Sequence, residues 1–289
     1  RRRDGEVTRT VTTPIGVLTE RFVFNEASPY IPFPVEFKIK TVEDLKVFRH
    51  VVSRNEFAPC YDLFVEEDAR IGDDGMATAS APCTPLQTLI ELEVGIENFY
   101  YLLHDHLSEV EETLELMHER NKDVYRIIAA SPAQVVINYE NSSTTLFSPS
   151  LYARYCLKQI DEYADVVHAS GKVYLTHMCG KLKGLEPQLR AGRMDGIVDI
   201  APPPTGDVDL ADAKRMWGPA KVVAGGIDAT AFTSFAPHEM RAYVRDLLTR
   251  LAPLDRVIVG SGDATPKTAR LENLRAAGEA VRQYGALRG

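Results

Sequence analysis

Short apolar strands, each followed by an amphipathic helix, succeed one another five times over the second half of this chain. Such alternation predicts an α/β fold with a parallel sheet, because each helix crosses back over the sheet before the next strand begins. No Gly-x-Gly-x-x-Gly sequence opens a helix, so a dinucleotide-binding fold lacks its main support. We therefore predict a (β/α)8 TIM barrel, with its earlier units in residues 60–130 and part of its N-terminus outside these 289 residues. The predicted strands are Val135–Tyr139, Val173–Met178, Gly196–Ile200, Lys221–Ala224 and Arg256–Val259.

The N-terminal part of the chain has a different pattern. Residues 6–40 contain two alternating apolar and polar segments around the turn Thr13–Gly16, which predicts a β-hairpin extension. A helix follows from Thr41 to Val52, and Thr84-Pro85 opens another that we expect to run to about Leu103, since Pro is favoured just inside a helix start. We treat residues 1–289 as a single barrel domain that carries this extension.

The composition argues against several classes of protein. The formal net charge is −8 and no long basic run occurs, which disfavours nucleic acid as a partner. No apolar stretch reaches the roughly 18 residues of a membrane-spanning helix, and Arg1–Gly5 does not lead into a secretory signal. The four cysteines are scattered, as is typical of proteins from a reducing compartment. We expect a cytoplasmic protein that acts on small molecules, and a homodimer remains open.

Polar residues stand at the end of every one of the five predicted strands, where the active site of a barrel lies. Two of them, His177 and Cys179, are two positions apart, so they point to the same side of an extended chain and suit a zinc ion. The alternatives are a buried Cys beside a hydrogen-bonded His, and helix caps at Asp199 and Asp228. The residues at the strand ends are Glu140 with Asn141, His177 with Cys179, Asp199, Asp228, and Ser261 with Asp263.

Four stretches carry a resemblance to a known family: His177–Lys181 (HMCGK), Gly225–Asp228 (GGID), Gly260–Pro266 (GSGDATP) and Glu272–Leu274 (ENL). Over roughly residues 80–285 the chain resembles the uroporphyrinogen decarboxylase superfamily, and within it the branch of cobalamin-dependent methyltransferases. The resemblance implies a (β/α)8 barrel. It also implies transfer of a methyl group between a corrinoid protein and an acceptor.

The resemblance further implies a zinc ion held by a His-x-Cys pair and a later Cys. His177 and Cys179 match the pair, but the later Cys falls at or near Ser261, and a hydroxyl is a poorer zinc ligand than a thiolate. We therefore expect Glu140 as the third ligand, with Asp263 as the other candidate. The remaining alternative is that the site holds no zinc.

The expected function is that of a corrinoid-dependent methyltransferase with a thiol or tetrahydrofolate as methyl acceptor. The chain has no Asp-x-His-x-x-Gly motif, so we place the corrinoid on a partner protein. One alternative is decarboxylation of a porphyrinogen, although the arginine-rich motif that holds its carboxylates is not visible. Another is a non-catalytic barrel that binds a tetrapyrrole. The expected catalytic residues are Glu140, Asn141, Asp199, Asp228 and Asp263, and the expected cofactor-binding residues are Asn141, Asp228 and Ser261.

Overall fold

The computed structural model describes residues 2–3, 5–26 and 32–285, so residues 27–31 of the predicted extension lie outside the described residues. None of the described helices is long and apolar enough to cross a membrane. The strands are β1 Arg2–Arg3, β2 Glu6–Thr13, β3 Gly16–Val23, β4 Phe33–Glu36, β5 Ala79–Ala81, β6 Val135–Tyr139, β7 Val173–His177, β8 Gly196–Ile200, β9 Val222–Ile227 and β10 Val257–Ser261. The α-helices are α1 Val42–Val52, α2 Asp62–Ile71, α3 Pro85–Thr88, α4 Ile96–Asp105, α5 Leu107–Ala129, α6 Pro149–Tyr152, α7 Lys158–His168, α8 Glu186–Ala191, α9 Leu210–Trp217, α10 Ala231–Ser234, α11 Pro237–Leu251 and α12 Leu271–Tyr284.

The chain divides into two compact units, of which the first comprises residues 1–60 and 83–127. Its antiparallel sheet has the order β1-β2-β3-β4, and the hairpin between β2 and β3 closes with Thr13 opposite Gly16. Helix α1 starts with a capping box, in which the Thr41 side chain accepts from the Asp44 amide and the Asp44 carboxylate accepts from the Thr41 amide.

The helix predicted from Thr84 to about Leu103 is wrong as a single element. A π-helical turn at Leu89–Glu93 follows α3, and the chain then breaks at Gly95 before α4 begins. Gly95 has φ +80°, and a Cβ built there would lie 2.5 Å from the Phe37 ring. The helix stops because the chain takes a left-handed turn against an aromatic ring, and glycine is the residue that adopts this conformation at low cost.

The second unit comprises residues 61–82 and 128–289 and contains a six-stranded sheet of order β10-β9-β8-β7-β6-β5. All five strand pairs are parallel, and the helices connect consecutive strands. The predicted α/β fold class is therefore confirmed, as are the five predicted strands. The strand predicted at Lys221–Ala224 continues through Gly225 and Gly226 to Ile227.

The two faces of this sheet differ. On the helix-covered face, side chains such as Asn138, Tyr174 and Thr176 are fully buried. On the other face, which we call the open face, Leu175, Val198 and Ala224 form an apolar cluster with the partly buried Val135 and Ile137 packed against it. Because side chains alternate along a strand, Tyr139 and His177 lie on the open face as well.

Strand β8 contains a bulge that interrupts this alternation. Ile197 pairs with Val223 and Ile200 pairs with Gly225, so β8 has one more residue than β9 between these pairs. Asp199 lies in the bulge with φ +61°, in the left-handed region that few residues other than glycine adopt. A Cβ at Gly225 would lie 2.6 Å from the Ile200 backbone nitrogen, so the bulge packs directly against a residue without a side chain. Bulges of this kind redirect side chains and are frequent beside active sites.

Candidate functional site

A group of possible metal ligands lies at the carboxyl ends of the strands in the second unit. The nitrogen, sulfur and oxygen donors of His177, Cys179 and Asp263 all lie within 4.8 Å of one another. His177 ends β7, while Asp263 follows β10 by two residues. The sequence prediction that His177 and Cys179 project together agrees with this arrangement, and the structure adds Asp263 from the far edge of the sheet.

Asp199 orients the imidazole of His177. Its Oδ2 atom lies 2.6 Å from Nδ1 of His177. A carboxylate only accepts hydrogen bonds, so Nδ1 carries a proton, and whenever the ring is neutral its lone pair lies on Nε2. Regular alternation after Val198 would turn residue 199 to the helix-covered face, and the bulge brings its carboxylate to the open face instead. Asp199 caps no helix in this arrangement.

The surroundings of His177 favour its protonated form. Burial by itself lowers the pKa of His177, but hydrogen bonds to Asp199 and Cys179, together with the charges of those groups, outweigh it and raise the pKa from 6.5 to about 9. A metal ion bound at Nε2 of His177 would compete with a proton for that nitrogen.

We expect the metal-free protein to lose stability as the pH rises from 6.5 to 9. The raised pKa of His177 stabilises the folded state fully below pH 6.5, and this contribution disappears as the folded-state imidazole deprotonates near pH 9. The loss is at most about 3 kcal/mol, and less because the Asp199 side chain is 41% exposed. Urea unfolding of chelator-treated protein at pH 6 and pH 9 measures it. Asp199→Asn should show a smaller loss, and an equal loss in both proteins would contradict the explanation.

Glu140 does not join this group of donors. Its carboxylate is fully buried, and its Oε2 atom accepts from the side-chain amide of Asn138 at 3.3 Å. Burial raises the pKa of the Tyr152 hydroxyl, and the charge of Glu140 is the second cause of that increase. These contacts lie on the helix-covered face, whereas His177 lies on the open face. Side chains two positions apart in an extended segment point to the same side, so residue 140 is expected to face the same way as Asn138 and away from His177. The structure thus favours Asp263 over Glu140 as the third ligand.

Asn141 lies beside the donors and holds the loop that carries them. Its backbone amide donates to the His177 carbonyl at 3.1 Å, and its side-chain Oδ1 accepts from Cys179 Sγ at 3.9 Å. The backbone of Asn141 has φ +46°. The next turn packs so closely that a Cβ at Gly180 would lie 2.5 Å from Cβ of Ser143. Asn141 and Asp199 are two of the three non-glycine residues with positive φ in the described part of the chain. Strained backbone of this kind is concentrated at functional sites.

The two remaining predicted residues have less direct roles in this geometry. Asp228 accepts from both the backbone amide and the hydroxyl of Thr230 at 2.8 Å, so its carboxylate stabilises the turn before α10, whose N-cap is Thr230. Ser261 ends β10, and its hydroxyl oxygen is buried without a hydrogen-bond partner among the described residues. Its partner position on β9 is the buried Ile227. Neither residue belongs to the group of metal donors.

Sequence reasoning missed Tyr139. It ends β6 directly opposite His177, and the two rings have centroids 5.3 Å apart at an angle of 39°. Tyr139 is the register partner of His177, so it lies on the same face of the sheet. The sequence would have predicted this position once β6 and β7 were known to be neighbours.

Comparisons with known proteins place the chain in a family. A sequence search of curated proteins gives no match. Among solved structures, the chain is similar to a methyltransferase from Methanosarcina mazei, with a TM-score of 0.63 and 15% identity over 88% of this chain and 73% of that protein. At this identity the likeness shows the fold, and together with the family it implies the predicted TIM barrel. Residues 18–284 match the family described as uroporphyrinogen decarboxylase (URO-D). Because this match spans most of its length, the chain belongs to the uroporphyrinogen decarboxylase family.

Proposed function

We propose that this protein is a metal-dependent methyltransferase that moves a methyl group between a corrinoid carried by a partner protein and a thiol or tetrahydrofolate acceptor. The observation that carries the proposal is the convergence of His177, Cys179 and Asp263 donors within 4.8 Å. Three protein ligands that leave one position open are the pattern of catalytic zinc sites. The similarity to a methyltransferase fold supports the same direction.

The donor set fits a zinc ion. With bonds of about 2.0–2.3 Å, the donors of a tetrahedral zinc site lie roughly 3.3–3.8 Å apart. The observed donor atoms therefore need to approach one another by about 1.5 Å at most. Nitrogen, thiolate and carboxylate are all zinc ligands, and Cys179 makes the set soft enough to favour zinc over magnesium or calcium.

Each residue of the site has a distinct task in this proposal. A bound zinc ion supplies a lowered pKa for a thiol acceptor, which is then a thiolate at neutral pH. Asp199 holds the His177 ring through Nδ1 and leaves Nε2 available as a ligand atom, and Asp263 would supply the third ligand atom. The side-chain oxygen of Asn141 accepts from Cys179 Sγ and so positions the sulfur that would be the second ligand. For a folate acceptor, the polar groups of Asn141 and Asp228 would fix the orientation of the pterin.

Porphyrinogen decarboxylation remains the second candidate because the family match carries that description. A decarboxylase of this kind has no need for a convergent His, Cys and Asp donor set. Incubation with uroporphyrinogen, followed by chromatography of the products, tests this alternative in the same preparation.

The deciding experiment measures metal content and methyl transfer together. We expect about one zinc ion per chain in the purified protein, and zinc-dependent demethylation of methylcobalamin in the presence of a thiol. Cys179→Ser should lose both, since a hydroxyl replaces the thiolate. Cys156→Ser is the matched control, because Cys156 is buried outside the donor group. Full transfer activity in Cys179→Ser, or porphyrinogen decarboxylation by the metal-free protein, would overturn the proposal.

A further inference from the structure

Tyr139 is the most exposed residue of its strand. Strand β5 pairs only with residues 136–138 of β6, so Tyr139 lies beyond that pairing and is opposite His177 of β7 alone. Its side chain is 47% exposed, whereas the other four residues of β6 are buried or partly buried. Within the described residues its hydroxyl has no hydrogen-bond partner. The ring contacts that of His177 in a tilted arrangement, and nearly half of the side chain is accessible.

The surroundings of Tyr139 combine an apolar floor with a polar end. Ile137 precedes it on the open face, next to the cluster of Leu175, Val198 and Ala224. The metal donors and Asn141 lie at the carboxyl end of the same face. Ligand sites typically join an apolar lining to a few polar groups that fix orientation. An exposed aromatic ring at the boundary therefore has the position of a contact surface for the body of a ligand whose reacting atom reaches the metal donors.

We propose that Tyr139 is a specificity-determining residue that stacks against a flat ring in the methyl acceptor, so that the site prefers ring-bearing acceptors over aliphatic ones of equal size. The inference rests on the proposed methyltransferase function and names its acceptor class. A small aliphatic thiol would leave the Tyr139 ring uncovered, whereas a planar group would bury it. Aromatic pairs contribute beyond simple burial, by an amount equivalent to about a 2- to 10-fold change in affinity.

The test compares two thiols of the same carbon number, benzyl mercaptan and cyclohexylmethanethiol. Isothermal titration of each into the zinc-loaded protein gives the ratio of their affinities. Differences in thiol acidity and solubility affect the wild type and the variants alike, so they cancel when the ratios are compared. We expect the preference for the planar thiol to fall by about 2- to 10-fold in Tyr139→Leu and to persist in Tyr139→Phe, which keeps the ring. Tyr101→Leu, at another exposed tyrosine, should leave the ratio unchanged.

A second measurement reports the contact directly. Proton NMR of bound benzyl mercaptan should show upfield ring-current shifts in the wild type and in Tyr139→Phe, and these shifts do not depend on Tyr139→Leu being well folded. An unchanged ratio in a folded Tyr139→Leu, or the absence of ring-current shifts in the wild type, would overturn the inference while leaving the proposed function intact. If neither thiol binds the zinc-loaded wild type, the thiol version of the proposed function fails and this inference fails with it.

Discussion

Replacing Asp263 with alanine should lower the affinity for zinc by more than about 100-fold and abolish methyl transfer to a thiol. Asp263 supplies the only oxygen donor in the group formed with His177 and Cys179 in the described part of the chain. Its removal leaves two ligands, and two ligands do not complete a catalytic zinc site. Loss of a direct ligand should exceed the roughly 10- to 100-fold effect that is typical of groups hydrogen-bonded to ligands.

Glu140→Gln is the variant that makes this result specific. Glutamine keeps the size of the side chain and an oxygen that can accept from Asn138, but it removes the negative charge. If Asp263 is the third ligand, Glu140→Gln should bind zinc within about 2-fold of the wild type. Competition with a chromophoric chelator measures both affinities. Retention of zinc by Asp263→Ala together with its loss from Glu140→Gln would reverse the assignment and restore the expectation from sequence.

The second large effect concerns Asp199. We expect Asp199→Asn to lower zinc affinity by about 10- to 100-fold, because carboxylates that hydrogen-bond a ligating histidine fix its tautomer and raise its basicity. The amide of asparagine can turn its NH₂ group toward Nδ1, which stabilises the tautomer with the lone pair on Nδ1 and the proton on Nε2. The variant is nearly isosteric, so the bulge in β8 and its left-handed residue should survive.

Two measurements separate orientation from general damage. The absorption spectrum of the cobalt-substituted protein should change in Asp199→Asn, since it reports the ligand field at the metal. Urea unfolding of the zinc-free protein at about pH 10, where most of the folded-state His177 has lost its extra proton, should differ little between variant and wild type. Asp228→Asn is the matched control, because Asp228 binds Thr230 instead of a metal donor. Equal losses of affinity in both variants would contradict a specific role for Asp199.

The sequence contained enough information for the parallel sheet and for two of the three members of the donor group. Strand and helix periodicity placed the five strands of the second unit within a few residues, and parity alone brought His177 and Cys179 to one side. These features are local, since each depends on residues within a single strand and helix. The extension of β9 through Gly225 and Gly226 was harder to predict. Gly225 lets β8 approach the strand closely and Gly226 does the same for Leu210, and sequence spacing does not reveal these contacts.

The parts that were missed depend on contacts between distant segments. Asp263 was only the second candidate for the third ligand, because its approach to His177 from a strand three places away depends on the sheet order. The contact between Asp199 and His177 required the bulge, because regular alternation predicts the opposite face for Asp199. Glu140 was chosen for its position after a strand, although its parity already indicated the helix-covered face. Helix α2 also escaped prediction, and none of its residues is buried.

The donor group contains a single sulfur atom, and this has a consequence for oxidation. Where two cysteines bind one metal, an oxidant can expel the ion by joining the two sulfurs in a disulfide. Among the described residues, Cys179 has no second thiol in its group, since the third donor is a carboxylate. One equivalent of peroxide should therefore give a sulfenic acid on Cys179 instead of an internal cross-link, and an added thiol reverses this step. With excess peroxide no second cysteine traps the sulfenic acid, so the sulfur passes to the irreversible sulfinic acid and recovery of the site depends on thiols from solution.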